Sequence, residues 1–170
     1  DDGYMPSPLV AIAAVAARTK RMKIGSGIAL APLYNPVRFA TDCAVLDIIA
    51  GGRIEMGLAV GYRRRETAAF GIDFSKRGRM FDEWLEIVTR LWAGETVDFE
   101  SQFYRVQGAK VMPPPPRGRI PLFMGGFTDW AQTIADSEDA ADFRSRVSDS
   151  ENASMWQSLS FKANYKAADR

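Results

Sequence analysis

Three short apolar segments, each separated from the next by a helical pattern, restrict the fold of this chain more than any other feature. MKIGSGIAL (22–30), RIEMGLAVG (53–61) and IPLFMGG (120–126) are apolar almost throughout, which is typical of strands covered on both faces. Amphipathic or alanine-rich patterns typical of helices cover 9–21, 36–50 and 77–94. This alternation predicts an α/β fold built from parallel βαβ units with right-handed crossovers.

The sequence also marks where these elements start and stop. Ser7-Pro8 and Asn35-Pro36 are typical helix starts, and Gly51-Gly52 is a typical helix stop. Residues 96–112 change to alternating apolar and polar positions, which predicts a two-stranded excursion. The segment PPPPRGR that follows predicts a stiff polyproline spacer.

The sequence changes character after Gly126. Residues 127–170 hold eight acidic and five basic side chains and no further apolar strand. We therefore predict two regions: an α/β domain over 1–126, and a divergent polar tail over 127–170 that is helical or partly disordered.

Composition excludes several classes of function. The net charge of +1 gives no electrostatic case for nucleic acid or an anionic membrane, and no apolar run approaches the ~20 residues of a membrane span. The chain has no histidine, which excludes Ser-His-Asp and Cys-His catalysis and removes the usual ligand of catalytic zinc, so no metal site is expected. A single cysteine, Cys43, fits a reducing environment, so a cytoplasmic location is expected.

Two features of the sequence are candidates for ligand binding: the glycines Gly25 and Gly27, and a cluster of arginines. The motif GSG lacks the third glycine of a dinucleotide-binding loop, because position 30 is leucine. An ordinary turn at a strand end and a ligand lying close to the backbone remain as readings of these glycines. Asp47 and Glu55 are predicted to be structural, paired with Arg53 or with backbone N–H groups.

GYRRRE (61–66) follows the second strand, and the carboxyl ends of parallel strands are where ligands bind in α/β folds. Each arginine alone is typical of a solvated loop, but together with Arg77 and Arg79 they favour an anionic group such as a phosphate. GGFTD (125–129) is either a second phosphate cradle or an ordinary turn.

Several ordered signatures between Ser7 and Gly126 together resemble the bacterial luciferase-like superfamily of flavin- or deazaflavin-dependent oxidoreductases. They are AARTKRMKIGSGI, the helix start NPVR, LDIIAGGR, the GY–E–AFG loop, the helix RGRMFDEWL and PLFMGG. The resemblance implies a partial (β/α)8 TIM barrel covering roughly strands three to five, and an incomplete chain, since a whole barrel needs about 250 residues. It also implies FMN, or alternatively coenzyme F420, and a small organic substrate.

The resemblance further implies roles for particular residues. A cis peptide is expected at Gly27-Ile28, where these two residues would support the flavin ring. The ring edge would be lined by Ala59, Val60, Gly61 and Tyr62, and the phosphate would face Arg77, Gly125, Gly126 and Thr128. Tyr62 is the candidate catalytic residue.

Two kinds of function remain open. The first is monooxygenation or hydride transfer by the flavin. The alternative is a non-catalytic flavin-binding or dimer-forming truncated barrel, in which exposed strand edges would pair in a homodimer.

Overall fold

A computed structural model describes residues 7–124, so the predicted polar tail lies outside the described part of the chain. The predicted succession of helices and strands is confirmed, with one added helix, α3. The elements are α1 (Pro8–Arg18), β1 (Ile24–Leu30), a 3₁₀ turn (Ala31–Leu33), α2 (Pro36–Ala50), β2 (Ile54–Ala59), α3 (Arg64–Ala69), α4 (Arg77–Trp92), β3 (Val97–Glu100), β4 (Arg105–Ala109) and β5 (Leu122–Met124).

The central sheet contains the three apolar segments. Its strands are parallel in the order β1-β2-β5, whereas β3 and β4 form a separate antiparallel pair, as predicted. Ile54, Met56 and Leu58 alternate along β2 and are fully buried. Of the two positions between them, Glu55 is only partly covered and Gly57 is buried.

Local chemistry sets the ends of α2. The Asn35 side chain accepts a hydrogen bond from the Arg38 backbone N–H at 3.1 Å, and Pro36 is the first helical residue. At the other end Gly51 adopts a left-handed φ of 64°, which ends the helix as predicted. At α1 the predicted start is confirmed, although the Ser7 side chain makes no capping hydrogen bond.

A cluster of aromatic side chains holds α4 against α2. The Phe39 and Trp84 rings meet edge to face with centroids 4.7 Å apart. The indole N–H of Trp84 donates to the Tyr34 carbonyl at 2.9 Å, and that of Trp92 donates to the Ala40 carbonyl at 3.0 Å. Because both indole N–H groups have an acceptor, the two tryptophans lie in the core without an unsatisfied donor.

The structural roles predicted for Asp47 and Glu55 are confirmed, but the pairing with Arg53 is wrong. Asp47 accepts from the Ile54 backbone N–H at 3.2 Å, and Glu55 forms an ion pair with Lys23. The Arg53 guanidinium instead donates to main-chain carbonyls near the end of α1, at residues 16, 19 and 22. Helix-end carbonyls lack partners within the helix, and one guanidinium can donate to several of them at once.

The expectation of a stiff polyproline spacer at 113–119 is wrong. The chain turns there, with the Gly118 N–H donating to the Pro115 carbonyl at 2.8 Å and Gly118 at a φ of 66°. The turn brings the Arg117 guanidinium back to the Ile54 carbonyl at 3.1 Å and to the Asp47 carboxylate at 3.4 Å. Burial of Pro115 and these contacts outweigh the extended preference of the prolines.

Within residues 7–124 none of the helices combines the length and the apolar character needed to cross a membrane.

Candidate functional site

The carboxyl ends of β1 and β2 lie side by side, and the predicted site residues Ala59, Val60, Gly61 and Tyr62 lie there. Leu30 pairs with Ala59 at the last position of both strands. Gly61 follows with a φ of 80°, a left-handed conformation that favours glycine. A Cβ added to Gly61 would lie 3.5 Å from a Leu30 methyl carbon, so the segment after β2 packs on the end of β1.

The cis peptide expected at Gly27-Ile28 is absent, since the cis bond among residues 7–124 is Met112-Pro113. At this point β1 contains a bulge: Ser26 pairs with Met56 and Ala29 with Leu58, so β1 has one more residue than β2. The bulge accommodates the extra residue of β1 without a cis peptide bond. For a non-prolyl residue the trans form is favoured by about 3–4 kcal/mol.

The bulge leaves apolar surface exposed at the sheet edge. Ile28 is 48% exposed, and a Cβ at Gly57 would lie 3.5 Å from its Cγ1 atom. Ile28 therefore lies over the open face of β2 rather than in the core.

Close approach of β1 and β2 explains Gly25. A Cβ there would lie 1.8 Å from the Glu55 carbonyl oxygen, and one at Gly57 would lie 2.5 Å from that of Ser26. Two readings were left open for the glycines of β1, an ordinary turn and a close ligand, and neither accounts for Gly25: the neighbouring strand β2 does. Gly27 is exposed beside the bulge.

The arginines after β2 do not form a loop, contrary to expectation: Arg64 and Arg65 open helix α3. The Thr67 side chain is buried and its hydroxyl donates to the Arg64 carbonyl at 3.0 Å, while Glu66 lies in the first turn, where a negative charge is favourable. Six residues are too few for a clear apolar period, so the sequence carried little signal for this helix.

Tyr62 projects from this segment and is 73% exposed. Its hydroxyl oxygen accepts a hydrogen bond from Arg63 Nε at 3.2 Å, and the Arg63 guanidinium lies 5.3 Å from the ring centroid. Arg63 also pairs with Glu66 at 3.9 Å. Tyr62 is therefore held by a cation at the solvent boundary.

Arg77 joins the end of β2 to the start of α4. Its Nε donates to the Gly61 carbonyl at 2.9 Å and its Nη1 to the Phe74 carbonyl at 2.6 Å, while the guanidinium lies 3.6 Å from the centre of the Phe74 ring. Two hydrogen bonds and an aromatic face fix the position of this cation. The structure thus places Gly61 and Arg77 in direct contact.

Phe74 is a residue of the candidate site that sequence reasoning missed. Arg64 also lies over it, with its guanidinium carbon 4.5 Å from the ring centroid. The available signal in the sequence was an aromatic residue near several arginines. Because Arg64 and Arg77 are far apart in sequence, it did not show that both contact the Phe74 ring.

The turn before α4 is held by Asp73. Its carboxylate accepts from the Ser75 hydroxyl at 2.7 Å and from the Ser75 N–H at 2.9 Å. These bonds lower the pKa of Asp73 below its usual value, so the group stays ionised, and it pairs with Lys76 at 3.9 Å.

Cys43 does not serve as a nucleophile here. It is fully buried in α2, and burial, with smaller contributions from Asp42 and Asp47, raises the pKa of its thiol. Of the remaining predicted residues, Ala59 and Val60 lie at the end of β2, whereas Gly125, Gly126 and Thr128 lie outside the described residues.

Comparison with known proteins identifies the family of this chain. The profile of the luciferase-like monooxygenase family matches residues 1–138, which extends beyond the Gly126 at which the sequence resemblance was expected to end. An F420-dependent glucose-6-phosphate dehydrogenase of Nocardia farcinica is 34% identical over 129 residues, which are 72% of this chain and 38% of that protein.

Two solved structures extend the comparison. The monooxygenase RslO1 from Streptomyces bottropensis is 32% identical with a TM-score of 0.73, and the match covers 78% of this chain and 41% of that one. The oxygenating constituent of 3,6-diketocamphane monooxygenase from Pseudomonas putida, solved in complex with FMN, is 25% identical with a TM-score of 0.65, and the match covers 72% and 38%.

The chain spans less than half the length of the curated relatives it matches. The family profile nevertheless covers most of the chain, and the fold agrees with family structures over the described elements. The chain belongs to the luciferase-like monooxygenase family.

Proposed function

We propose that this chain provides part of the cofactor site of a flavin- or deazaflavin-dependent oxidoreductase, with FMN as the cofactor and coenzyme F420 as the alternative. Its three parallel strands would correspond to the third to fifth strands of a (β/α)8 barrel, whose carboxyl ends bind ligands. The observation that carries the proposal is the fixed cation at this edge, Arg77, bonded to the Gly61 carbonyl at the end of β2.

The residues at the edge fit both ends of a flavin nucleotide. Ile28, 48% exposed beside Gly27, offers an apolar surface to a flat ring system. Ala59 and Val60 are small or medium-sized and partly covered, and with Gly61 and Tyr62 they would line the ring edge. Arg77 suits a phosphate, because a guanidinium makes paired, charge-assisted hydrogen bonds.

Three more residues complete the proposed phosphate contacts. These are Gly125, Gly126 and Thr128, whose backbone N–H groups and hydroxyl are suited to phosphate oxygens.

When bound, the flavin supplies the redox chemistry, either activation of O₂ for monooxygenation or hydride exchange with a small organic substrate. The protein residues bind and orient it. Tyr62 is the proposed proton-transfer group, and the hydrogen bond from Arg63 Nε holds its hydroxyl at the site entrance.

Equilibrium dialysis of the 170-residue chain against FMN tests this function, with adenosine monophosphate as a ligand that has a phosphate but no flavin ring. We expect FMN to be retained stoichiometrically at micromolar concentration and adenosine monophosphate to bind more weakly. Equal retention of the two would reduce the site to a simple anion site and contradict the proposal.

A pair of variants tests the ring contact. Ile28→Gln removes apolar surface from the bulge and should weaken FMN binding by about tenfold, as expected for the loss of roughly one apolar side-chain contact. Val45→Gln is the matched control, since Val45 is 46% exposed on α2 and should leave binding unchanged.

The second candidate function is flavin binding without catalysis. It is favoured by the exposure of Tyr62, a residue that is 73% accessible to water rather than enclosed. Stopped-flow oxidation of reduced FMN by O₂ distinguishes the two: a non-catalytic binder leaves the rate and products the same as for free reduced FMN.

A further inference from the structure

Helix α1 is apolar on every side, which is unusual for a helix at the surface of a protein in water. Residues 8–17 contain no charged or polar side chain. Ile12 and Ala16 are buried, but Val10 is 68% exposed and Val15 is exposed as well. A surface helix normally places polar residues on its outer side, so this apolar outer side indicates that something other than water covers it.

Helix α2 packs beside α1 and continues the apolar surface. Val45, Ile48 and Ile49 of α2 are each nearly half exposed. A groove of about 290 Å³ is lined by Ile48 and Ile49 together with Thr19 and Lys20, which follow α1. The exposed isoleucines of α2 therefore lie beside the end of α1.

The end of α1 carries a cluster of positive charge. Residues 18–23 contain four basic side chains, and residues 7–41 contain five basic side chains and no acidic one. Lys23 pairs with Glu55, but Arg18, Lys20 and Arg21 are exposed and form no ion pair with the part of the chain that the structure describes. These three cations border the apolar surface without a neutralising partner.

The net charge of the whole chain hides this local excess. The total of +1 includes an acidic stretch at residues 82–100, with six acidic side chains and one basic. That stretch belongs to α4 and β3, whereas the cations follow α1. Positive and negative charges are thus concentrated in different elements, so an anionic surface attracts one part of the molecule only.

The surface also lies away from the candidate cofactor site. Residues 18–23 immediately precede β1, and α2 ends just before β2, so this surface lies near the amino ends of the two strands. The candidate site lies at their carboxyl ends. Occupation of one does not require the other, and the inference drawn from this surface does not depend on the proposed function.

We propose that the α1–α2 surface binds an anionic lipid membrane. We define this surface by its exposed apolar residues and the three unpaired cations: Val10, Val15, Ile48, Ile49, Arg18, Lys20 and Arg21. The apolar side chains would enter the boundary between headgroups and acyl chains, and the cations would lie at the level of the lipid phosphates.

Charge and chemistry together favour a lipid surface over two other occupants. A second copy of the chain, docked through the same surface, would bring a second cationic cluster, and residues 7–41 offer no carboxylate to neutralise it. Nucleic acid would pair with the cations but would leave the aliphatic side chains uncovered. An anionic membrane satisfies both the cations and the apolar side chains.

Cosedimentation of the 170-residue chain with lipid vesicles tests the proposal. One set of vesicles contains phosphatidylcholine alone, and the other contains phosphatidylcholine and phosphatidylglycerol in equal parts. We expect binding to the anionic vesicles to be at least about tenfold tighter and to weaken as salt is added. Equal binding to both sets, or binding to neither, would overturn the proposal.

Two variants separate the cationic contribution from the apolar one. The double variant Arg18→Gln, Arg21→Gln should weaken binding to anionic vesicles by about thirtyfold, and Ile49→Gln by about tenfold. Lys110→Gln and Met112→Gln are the matched controls, because both residues are exposed at the end of the β3–β4 pair and should change nothing. Circular dichroism checks that each variant is folded, and folded variants that bind like the wild type would refute the assignment.

The two rival occupants are measured with the same proteins. Sedimentation equilibrium without vesicles should give the same association state for the wild type and Ile49→Gln. A dimer that Ile49→Gln dissociates would assign the surface to a second copy and overturn the proposal. Binding of a short DNA duplex that requires Arg18 and Arg21 but not Ile49, with no binding to vesicles, would assign it to nucleic acid and would also overturn it.

Discussion

At the scale of single residues, buried polar atoms make the stability of this chain depend on pH and on substitution. The Tyr104 hydroxyl is buried without a hydrogen-bond partner among residues 7–124, although its ring packs against the core. Burial, with a smaller contribution from the charge of Glu83, raises the pKa of Tyr104 to about 12.

We expect the stability of the chain to fall as the pH rises from about 10 to about 12. In that range the unfolded chain has lost the phenolic proton and the folded chain still binds it, so unfolding is favoured by proton release. Tyr104→Phe should reduce this alkaline slope and keep the stability at pH 7 within about 1 kcal/mol of wild type or above it. Urea unfolding at pH 7, 10 and 11.5 measures both effects, and equal slopes in the two proteins would contradict the assignment.

At the scale of secondary-structure elements, the pairing of β1 with β2 sets the geometry of the candidate site. The two strands approach so closely that neither Gly25 of β1 nor Gly57 of β2 has room for a side chain, and a bulge leaves Ile28 exposed. The same pairing places the end of β1 against Gly61, to which Arg77 is bonded.

Alanine substitutions at three glycines test this pairing. Gly25→Ala should destabilise the chain by about 3 kcal/mol or more and Gly57→Ala by about 1–3 kcal/mol, because each methyl group would collide with a backbone carbonyl. Gly78→Ala is the matched control: it has open space around it within α4 and should stabilise by about 0.5–1 kcal/mol. Midpoints of chemical unfolding give the three values, and a harmless Gly25→Ala would refute the close approach.

The elements themselves were predictable because their signals are local. The ends of α2 follow from Asn35 and Gly51, and the strands follow from apolar runs. What the sequence could not show depends on contacts between distant segments. The partners of Arg53 are carbonyl oxygens that no motif marks, and the turn after Pro115 depends on Arg117 reaching Asp47, 70 positions earlier.

The placement of candidate-site residues at the ends of strands was predictable for the same reason, whereas their functional roles stay predictions. The carboxyl edge follows from the order of elements, and the contact of Gly61 with Arg77 falls where the family resemblance placed a phosphate. The shared role of Phe74 required three-dimensional proximity of Arg64 and Arg77. The bulge at Gly27-Ile28 depends on the register between β1 and β2, which composition does not reveal.

At the scale of the whole molecule, one polar contact joins the first half of the described chain to its end. The Asp47 carboxylate is fully buried, with Oδ1 bonded to the Ile54 N–H and facing Arg117, while Oδ2 has no partner among residues 7–124. β1 and β5 form the two edges of the sheet in this part of the chain, and the homodimer expected from such edges stays a prediction.

Two substitutions at this contact, made one after the other, should have opposite effects on stability: the first destabilises the chain and the second restores part of the loss. Arg117→Met leaves a buried carboxylate without its cation and should cost about 1–3 kcal/mol, a range reduced by the partial exposure of Arg117. Adding Asp47→Asn should recover part of that loss, because the amide keeps an acceptor for the Ile54 N–H and removes the unpaired charge. A double-mutant cycle from urea unfolding measures the recovery, and additive losses would show that the charge is not the cause.

The strand order β1-β2-β5 has a consequence for how the chain folds. β1 and β2 pair across about thirty residues, as Ile24 with Ile54, whereas β5 joins across more than sixty, as Leu122 with Met56. Closing the longer loop costs more chain entropy and lengthens the average contact. During synthesis on a ribosome, the β1–α2–β2 unit can therefore form before β5 has been made. Until β5 pairs with it, the free edge of β2 is exposed to other chains.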